Sequence, residues 1–469
     1  MTPGAARTSP GWRTAGPVPP FNPNAPPTRK ADGLRATVTS TAITQRLRRS
    51  AMADLQDELH AAGEAGELDT PPDTPHDRPG KRGHRPPGTE SIAPGDGGSG
   101  SDGSRAPDAS HVTEPSTEPS TGPSTEPSSE SSEPSDELAE AHAFLAAHPV
   151  ADGYSGLPWV LRQLPRYDLE LGEGGVDTDV PRMRKGHIGA LFWSLHLPEG
   201  PAGERPVDAT LEQLDLVRTV VDAHPEGLRL VNSAGETTDA RNRGRVAVLL
   251  GPAGAPAIGG SLGILRSLQT LGLKALTLAG ASWAGESGLS RFGEEVVREM
   301  NRIGVLADLS GAGEATVRRA LALSRAPVVC TRSAAGALRA HPANLSDDLL
   351  AALGEARGLC MVPLTAEQTG PSVRDVADHL DHVRAIAGPE CVGLSGTYDS
   401  GAAHPEDLND ASCYPRLIAE LMHRGWPEAD LALLTWGNVQ RVLRTADFTA
   451  RAAKDRREAS TASIADLDG

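Results

Sequence analysis

From residue 137 to residue 448 the chain alternates short apolar runs with longer amphipathic stretches. The short runs fall at 150–154, 190–195, 246–251, 275–279, 305–309, 327–331, 359–364 and 391–395, each rich in Val, Leu, Ala or Ile and closed by Gly, Pro, Asp or Ser. Runs of that length and texture predict strands buried on both faces. Between and after them, segments such as 210–223, 261–271, 290–303, 314–323, 346–355, 373–386, 415–424 and 431–443 repeat apolar residues at three and four positions, the helical period. Eight strands each followed by a helix predict an α/β fold, a (β/α)8 TIM-like barrel. In that fold chemistry belongs to the C-terminal strand ends and the loops after them.

The flanks read differently. Residues 1–136 hold only Trp12 and Phe21 as aromatics and are dominated by Pro, Gly, Ser, Thr and Glu, including the run TEPS-TEPS-TGPS-TEPS at 113–128. Such composition cannot bury enough apolar area to offset ordering entropy and predicts a long disordered N-terminal region. Only 41–67 within it shows helical spacing, through Ile43, Leu47, Met52 and Leu55, and predicts a short docking helix. The stretch from Met52 also reads as an alternative start of translation. Residues 449–469 are polar and predict a flexible C-terminal tail.

Charge and cysteine usage narrow the classes. A net charge of −17 over 469 residues argues against a nucleic-acid-binding body, although residues 1–51 carry eight Arg or Lys against one Asp. Cys330, Cys360, Cys391 and Cys413 lack CxxC spacing, which suits buried free thiols in a reducing compartment. No stretch of about 18 apolar residues occurs, so the expectation is a cytoplasmic protein without a membrane partner.

The ordered strings HPVADG-LPW-LR, DVPRMRKGHIGALFWSLHLP, SLGILRSLQTLGLKALTLAG, GLSRFGEEVVREMNRIGVLADLS, TVRRALALSRAPVV, HPANLSDDLL, VADHLDHVRAIAG and LTWGNVQRVL run through most of residues 138–446. Together they resemble the renal, or membrane, dipeptidases, zinc metallopeptidases on a TIM-like barrel. The resemblance implies two zinc ions as cofactor, a dipeptide substrate and a homodimer. Zinc takes imidazole and carboxylate ligands at about 2.0–2.2 Å, so each must come from its own strand end. The family's first-strand motif DGHxDLP is here Asp152-Gly153-Tyr154-Ser155-Gly156-Leu157-Pro158, with Tyr154 and Gly156 at the ligand positions. By the same resemblance the bridging glutamate is Ala253, and the two later histidines are Gly311 and Arg332. Substrate-contacting positions are Gly280, Ala343 and Thr397, while a second aspartate survives as Asp399.

The resemblance therefore supplies no catalytic residue and no metal ligand, and no cofactor is predicted for this chain. A non-catalytic relative, keeping the barrel as a binding or scaffolding module, is the reading favoured by sequence. A working metallodipeptidase with a rebuilt metal site is the alternative, and a partner-binding role for the N-terminal arm is a third. Tyr154, Arg332 and Asp399 are expected to converge on the former active-site mouth and to hold a small anionic or peptide-like ligand. Competing with that, Arg332 is expected equally to pair with Asp152 or Asp399. Other chemistry reads as structural: His379-x-x-His382 as a solvated helix face, His187 and His196 as packing or surface residues, Ser282 and Ser333 as serines without a nucleophile frame, and Gly259–Gly263 as a turn.

Overall fold

The first strand, β1 (Val150–Ser155), is buried along its whole length, and its neighbours explain why. Residues 134–164, 167–172, 174–197 and 205–469 are described in a computed structural model, and all eight expected barrel strands are among them. The remaining strands are β2 (Ile188–Trp193), β3 (Leu228–Val231), β4 (Val246–Leu250), β5 (Ala253–Gly254), β6 (Ala275–Thr277), β7 (Ala284–Gly285), β8 (Gly288–Leu289), β9 (Leu306–Asp308), β10 (Val329–Cys330), β11 (Leu359–Pro363) and β12 (Val392–Ser395). The helices are α1 (Pro134–Ala147), α2 (Leu157–Gln163), α3 (Val180–Lys185), α4 (Pro206–Ala223), α5 (Ala234–Asn242), α6 (Leu262–Thr270), α7 (Arg291–Ile303), α8 (Glu314–Leu323), α9 (Asp347–Glu355), α10 (Val373–Ala387), α11 (Tyr414–His423), α12 (Glu428–Ala432), α13 (Asn438–Lys454) and α14 (Ile464–Asp468).

Pairing runs in the order β3-β4-β2-β1-β12-β11-β10-β9-β6-β5, parallel throughout. Its two ends meet, because β4 and β5 are one run of chain interrupted at Gly251-Pro252, and Leu250 also bridges to Leu273. Gly251 has φ 121°, and a Cβ there would stand 2.7 Å from the Ala275 carbonyl oxygen, so only glycine permits the close approach. The ring has eight staves, as a TIM-like barrel requires. β3 was not expected; its four residues lie on β4 outside the ring.

Period-two alternation sorts the side chains. In β2, Ala190 and Phe192 face the barrel interior with Ala247, Leu249, Leu306, Val329, Leu359 and Met361, while Leu191 and Trp193 face the helices. Both faces are apolar, which is why the strands read as continuous runs. The N-terminal end of the barrel is stoppered by Trp436 from the π-helical turn Leu433–Gly437 and by Val439, Val442, Leu443 and Ala446 of α13. Cys330, Cys360 and Cys391 are buried free thiols and Cys413 is half-buried.

Of the two flanks, only the C-terminal one is described. Residues 1–133, including the expected helix at 41–67, lie outside the described residues. Where a free tail was expected from 449, α13 continues to Lys454 and α14 returns to the barrel: Ser290 and the Phe292 amide donate to Asp468 at 2.5 and 3.0 Å, capping α7. No helix among the described residues is long and apolar enough to cross a membrane.

One buried ion pair ties the stopper to the ring. Lys274, 2% exposed just ahead of β6, reaches Asp447 of α13 at 2.8 Å, and the other Asp447 oxygen accepts from the Ala234 amide at 3.2 Å. Removing one partner leaves a buried charge uncompensated. Asp447→Ala is expected to lower stability by about 3 kcal/mol in urea unfolding, and Lys274→Met combined with Asp447→Leu by much less. Equal losses in the two variants would contradict this account.

Candidate functional site

The C-terminal ends of β6, β9 and β10 are knotted together by one carboxylate. Asp308 is fully buried; Thr277 donates to it at 2.6 Å, Ser310 Oγ at 2.7 Å and the Thr331 amide at 2.9 Å. Ser310 Oγ in turn accepts from the Arg332 amide at 3.0 Å, which fixes where the Arg332 side chain leaves the barrel wall. Further out, Gln368 donates to the Arg332 carbonyl at 3.1 Å, and Asn344 accepts from the Ala334 amide at 3.1 Å.

Arg332 lies with its guanidinium carbon 4.3 Å from the centroid of the Tyr154 ring, a cation–π contact across the mouth between β10 and β1. Its Nε is buried without a hydrogen-bond partner, and among the described residues it forms no ion pair with Asp152, Asp399 or any other carboxylate. A guanidinium carries five donors in a fixed fork, and a ring face satisfies none of them as a carboxylate would. The expected pairing of Arg332 with Asp152 or Asp399 is therefore not what the structure contains.

Asp399 is near in backbone but not in side chain. The turn after β12 is clamped to β1 by the Thr397 amide on the Tyr154 carbonyl, 2.9 Å, and by the Gly156 amide on the Tyr398 carbonyl, 2.8 Å. Thr397 and Asp399 both have φ 56°, the left-handed region, and this turns the Asp399 carboxylate away into the 177–178 loop. There it accepts from the Asp177 amide at 2.7 Å and from the Thr178 hydroxyl. Burial, reinforced by the neighbouring Asp177 charge and opposed by these hydrogen bonds, pushes its carboxyl up to about 6. Of the three residues expected to converge, Tyr154 and Arg332 meet and Asp399 serves the loop.

A residue that sequence reasoning set aside stands on this rim. His196, just past β2, has its backbone amide on Ser194 Oγ at 2.9 Å, and a Cβ on Gly254 would lie 3.5 Å from its Nδ1. Although its outer edge is open to solvent, partial burial first and then the Arg332 charge hold the imidazole below its usual range, with Asp308 pulling the other way. Only the fold brings the ends of β2 and β10 together.

Two zinc ions need at least three strong donors each or a shared bridge. The positions carried over by resemblance hold Tyr154, Gly156, Ala253, Gly311 and Arg332, and the described residues contain no group of three or more His, Cys, Asp or Glu able to hold a metal. Gly156 is packed against the turn so closely that a Cβ would come within 2.3 Å of the Asp399 carbonyl oxygen. The residues present do not fit the metal pair. The other histidines are occupied elsewhere: His379, 2% exposed and not on a solvated face as expected, accepts from the Ala335 amide at 3.1 Å, and His382 meets Asp347 at 2.7 Å. His187 contacts His142 at 3.0 Å, and Ser261 of the glycine turn caps α6.

Comparison with known proteins adds the following. Residues 138–457 match the family described as membrane dipeptidase, peptidase family M19. Dipeptidase 3 of Mus musculus is 38% identical over 330 residues, 65% of this chain and 66% of its own length, so the chain spans just under two thirds of that relative. Dipeptidase verJ of Clonostachys rogersoniana is 31% identical over 350 residues, 68% of this chain and 90% of that one. A metallopeptidase from Rhodobacter sphaeroides, solved with a phosphinate mimic of the dipeptide L-Ala-D-Ala, shares the fold with a TM-score of 0.58 at 24% identity, covering 64% of this chain and 99% of its own.

Beneath the mouth, Asp152 holds the Tyr154 amide at 3.0 Å and the Gly396 amide at 2.7 Å on one oxygen, while its other oxygen is buried without a hydrogen-bond partner toward Tyr414. Burial raises its carboxyl from 3.8 to about 6 against those hydrogen bonds. The folded chain thus favours the protonated form: Asp152 carries no penalty below about pH 4, and the full cost, about 3 kcal/mol at most, above about pH 6. Asp152→Asn keeps the shape and removes the charge, so it is expected to stabilise the protein at pH 8 by about 1–3 kcal/mol and to do little at pH 3.5. Urea unfolding at both pH values checks this, and a stabilisation independent of pH would refute it.

Proposed function

We propose that this chain, which belongs to the membrane dipeptidase family, peptidase family M19, keeps the family barrel as a binding module and does not hydrolyse dipeptides. The observation that carries the reading is the Arg332–Tyr154 contact of 4.3 Å. A guanidinium and a phenol ring stand where the resemblance has metal ligands, so positive charge at the mouth is supplied by a side chain that activates no water. The alternative, a rebuilt metal site, needs donors that the described residues do not gather.

The same contact supports a ligand class. Tyr154, 4% exposed, holds the guanidinium plane by its ring face, and the donors around that plane are left for an acceptor from outside. A carboxylate suits this fork, and His196 on the rim offers a second polar contact. The ligand is accordingly small and anionic or zwitterionic, of peptide-like chemistry, and it is bound without a nucleophile aimed at it.

Metal analysis of the purified protein and a dipeptide hydrolysis assay with added zinc test this together. Zinc well below one ion per chain and no turnover above the blank are expected, and stoichiometric zinc with turnover would overturn the proposal. In a thermal-shift series with short peptides, Arg332→Ala is expected to weaken binding about 10- to 100-fold, the loss of a charge-assisted hydrogen bond. Unchanged shifts in that variant would remove the ligand assignment while leaving the missing hydrolysis untouched.

A further inference from the structure

At the end of the barrel opposite the mouth, a cavity of 380 Å³ opens between the start of β10 and α13. Its floor is Ala326, Pro327 and Val328, and its charged walls are Arg325, Arg357 and Arg441. A second cavity of 560 Å³ shares Arg325 and continues along α13 past Leu323, Phe448, Ala452 and Ala453. Thr445 lines the first and Phe448 the second, one helical turn apart, so the two form a single groove with a basic head and, along α13, an apolar strip of Leu323, Phe448, Ala452 and Ala453 edged by Arg298, Asn301, Arg456 and Arg457.

The arginines have an evident structural duty. Arg441 donates to the Arg357, Gly358 and Glu390 carbonyls at 2.6, 3.0 and 2.7 Å, and α8 and α9 point their C-terminal ends here. That duty does not consume the charge. Arg357 pairs with Glu390 at 2.8 Å, and each helix terminus counts for about −0.5. Arg325 and Arg441 then leave roughly one positive charge unanswered. The Arg441 Nε is buried without a partner, and among the described residues the Arg325 guanidinium has none. Beside this head Phe448 is 66% exposed, on a helix face otherwise lined by Ala and Thr.

We propose that this groove binds an amphipathic anion, a carboxylate or phosphate head between Arg325 and Arg441 with an alkyl or aryl tail over Leu323 and Phe448. The head supplies the acceptor that the Arg325 guanidinium lacks and a countercharge for Arg441, whose terminal nitrogens are already bonded to carbonyls, and the tail removes exposed aromatic surface from water. The two cavities together have the size of an ordinary small-molecule site. The site involves no residue of the mouth and stands whether or not the mouth binds a ligand.

Decanoate, kept below its critical micelle concentration, is the probe, with acetate and inorganic phosphate as heads without a tail and decanol as a tail without a head. Calorimetry on the full chain is expected to show saturable decanoate binding, at least tenfold tighter than acetate, phosphate or decanol. Arg325→Glu is expected to weaken decanoate at least tenfold and Phe448→Ser about threefold to tenfold, both at exposed positions whose side chains form no hydrogen bond or ion pair among the described residues, and Arg332→Ala is expected to leave it unchanged. Absence of decanoate binding, or binding indifferent to both groove substitutions, would overturn the proposal and leave the arginines as neutralisers of helix ends. So would binding only to vesicles of anionic lipid with none to soluble decanoate, which would make the face a membrane contact instead.

Discussion

Three strands end on the Asp308 carboxylate, and the geometry of the mouth follows from that junction. A buried carboxylate is tolerable only when its lone pairs are taken, and Thr277, Ser310 and the Thr331 amide take them. Because the Ser310 hydroxyl that binds Asp308 also receives the Arg332 amide, the arginine starts from a fixed point and its guanidinium meets the Tyr154 ring. One buried anion and one cation thus share the rim. His196 feels both, in opposite directions. The charge balance that a metal pair would otherwise impose on a cluster of carboxylates is met here by side chains alone.

The misfit to a metal pair lies in the backbone as well as the side chains. At Gly156 the turn of Thr397–Asp399 lies so close to β1 that a Cβ would collide with the Asp399 carbonyl, so an aspartate at 156 requires the turn to stand further off. That turn is secured by two backbone hydrogen bonds and by the Asp399 carboxylate in the 177–178 loop. Placing a carboxylate ligand at 156 therefore requires a concerted rearrangement of β1, the turn after β12 and a loop, not a single replacement.

Which parts of this were readable from sequence follows from the physics of each. Barrel strands such as Ile188–Trp193 are buried on both faces, so their runs stand out against any neighbour. β3, with half-buried Arg229 and Leu230 between two buried ends, carries too little pattern to announce itself. The C-terminal segment reads as a tail because only Ile464 and Leu467 pack on the core, and the rest of its attachment is polar, through Asp468 and Arg457, which looks like solvent exposure in a sequence. At the site, Tyr154 and Arg332 were conspicuous as substitutions at ligand positions. The direction of Asp399 was not, since it hangs on a left-handed backbone angle that no sequence spacing encodes. His196 carries no signal in the sequence because the charges that act on it stand on or just past β9 and β10, far along the chain.

The docking of α14 bears on where the folded body stops. The family match ends at residue 457, yet Ser460 accepts from Arg266 at 2.9 Å, Ser463 bridges to Ser261, and Asp468 closes the first turn of α7. Those contacts span both α6 and α7, the helices that follow β5 and β6 along the chain, and hold the two together from outside the barrel. A fragment trimmed to the family boundary would carry every stave of the barrel and lack the buckle between these two helices. Homology marks the inherited unit; the mechanical unit runs on at least through Asp468.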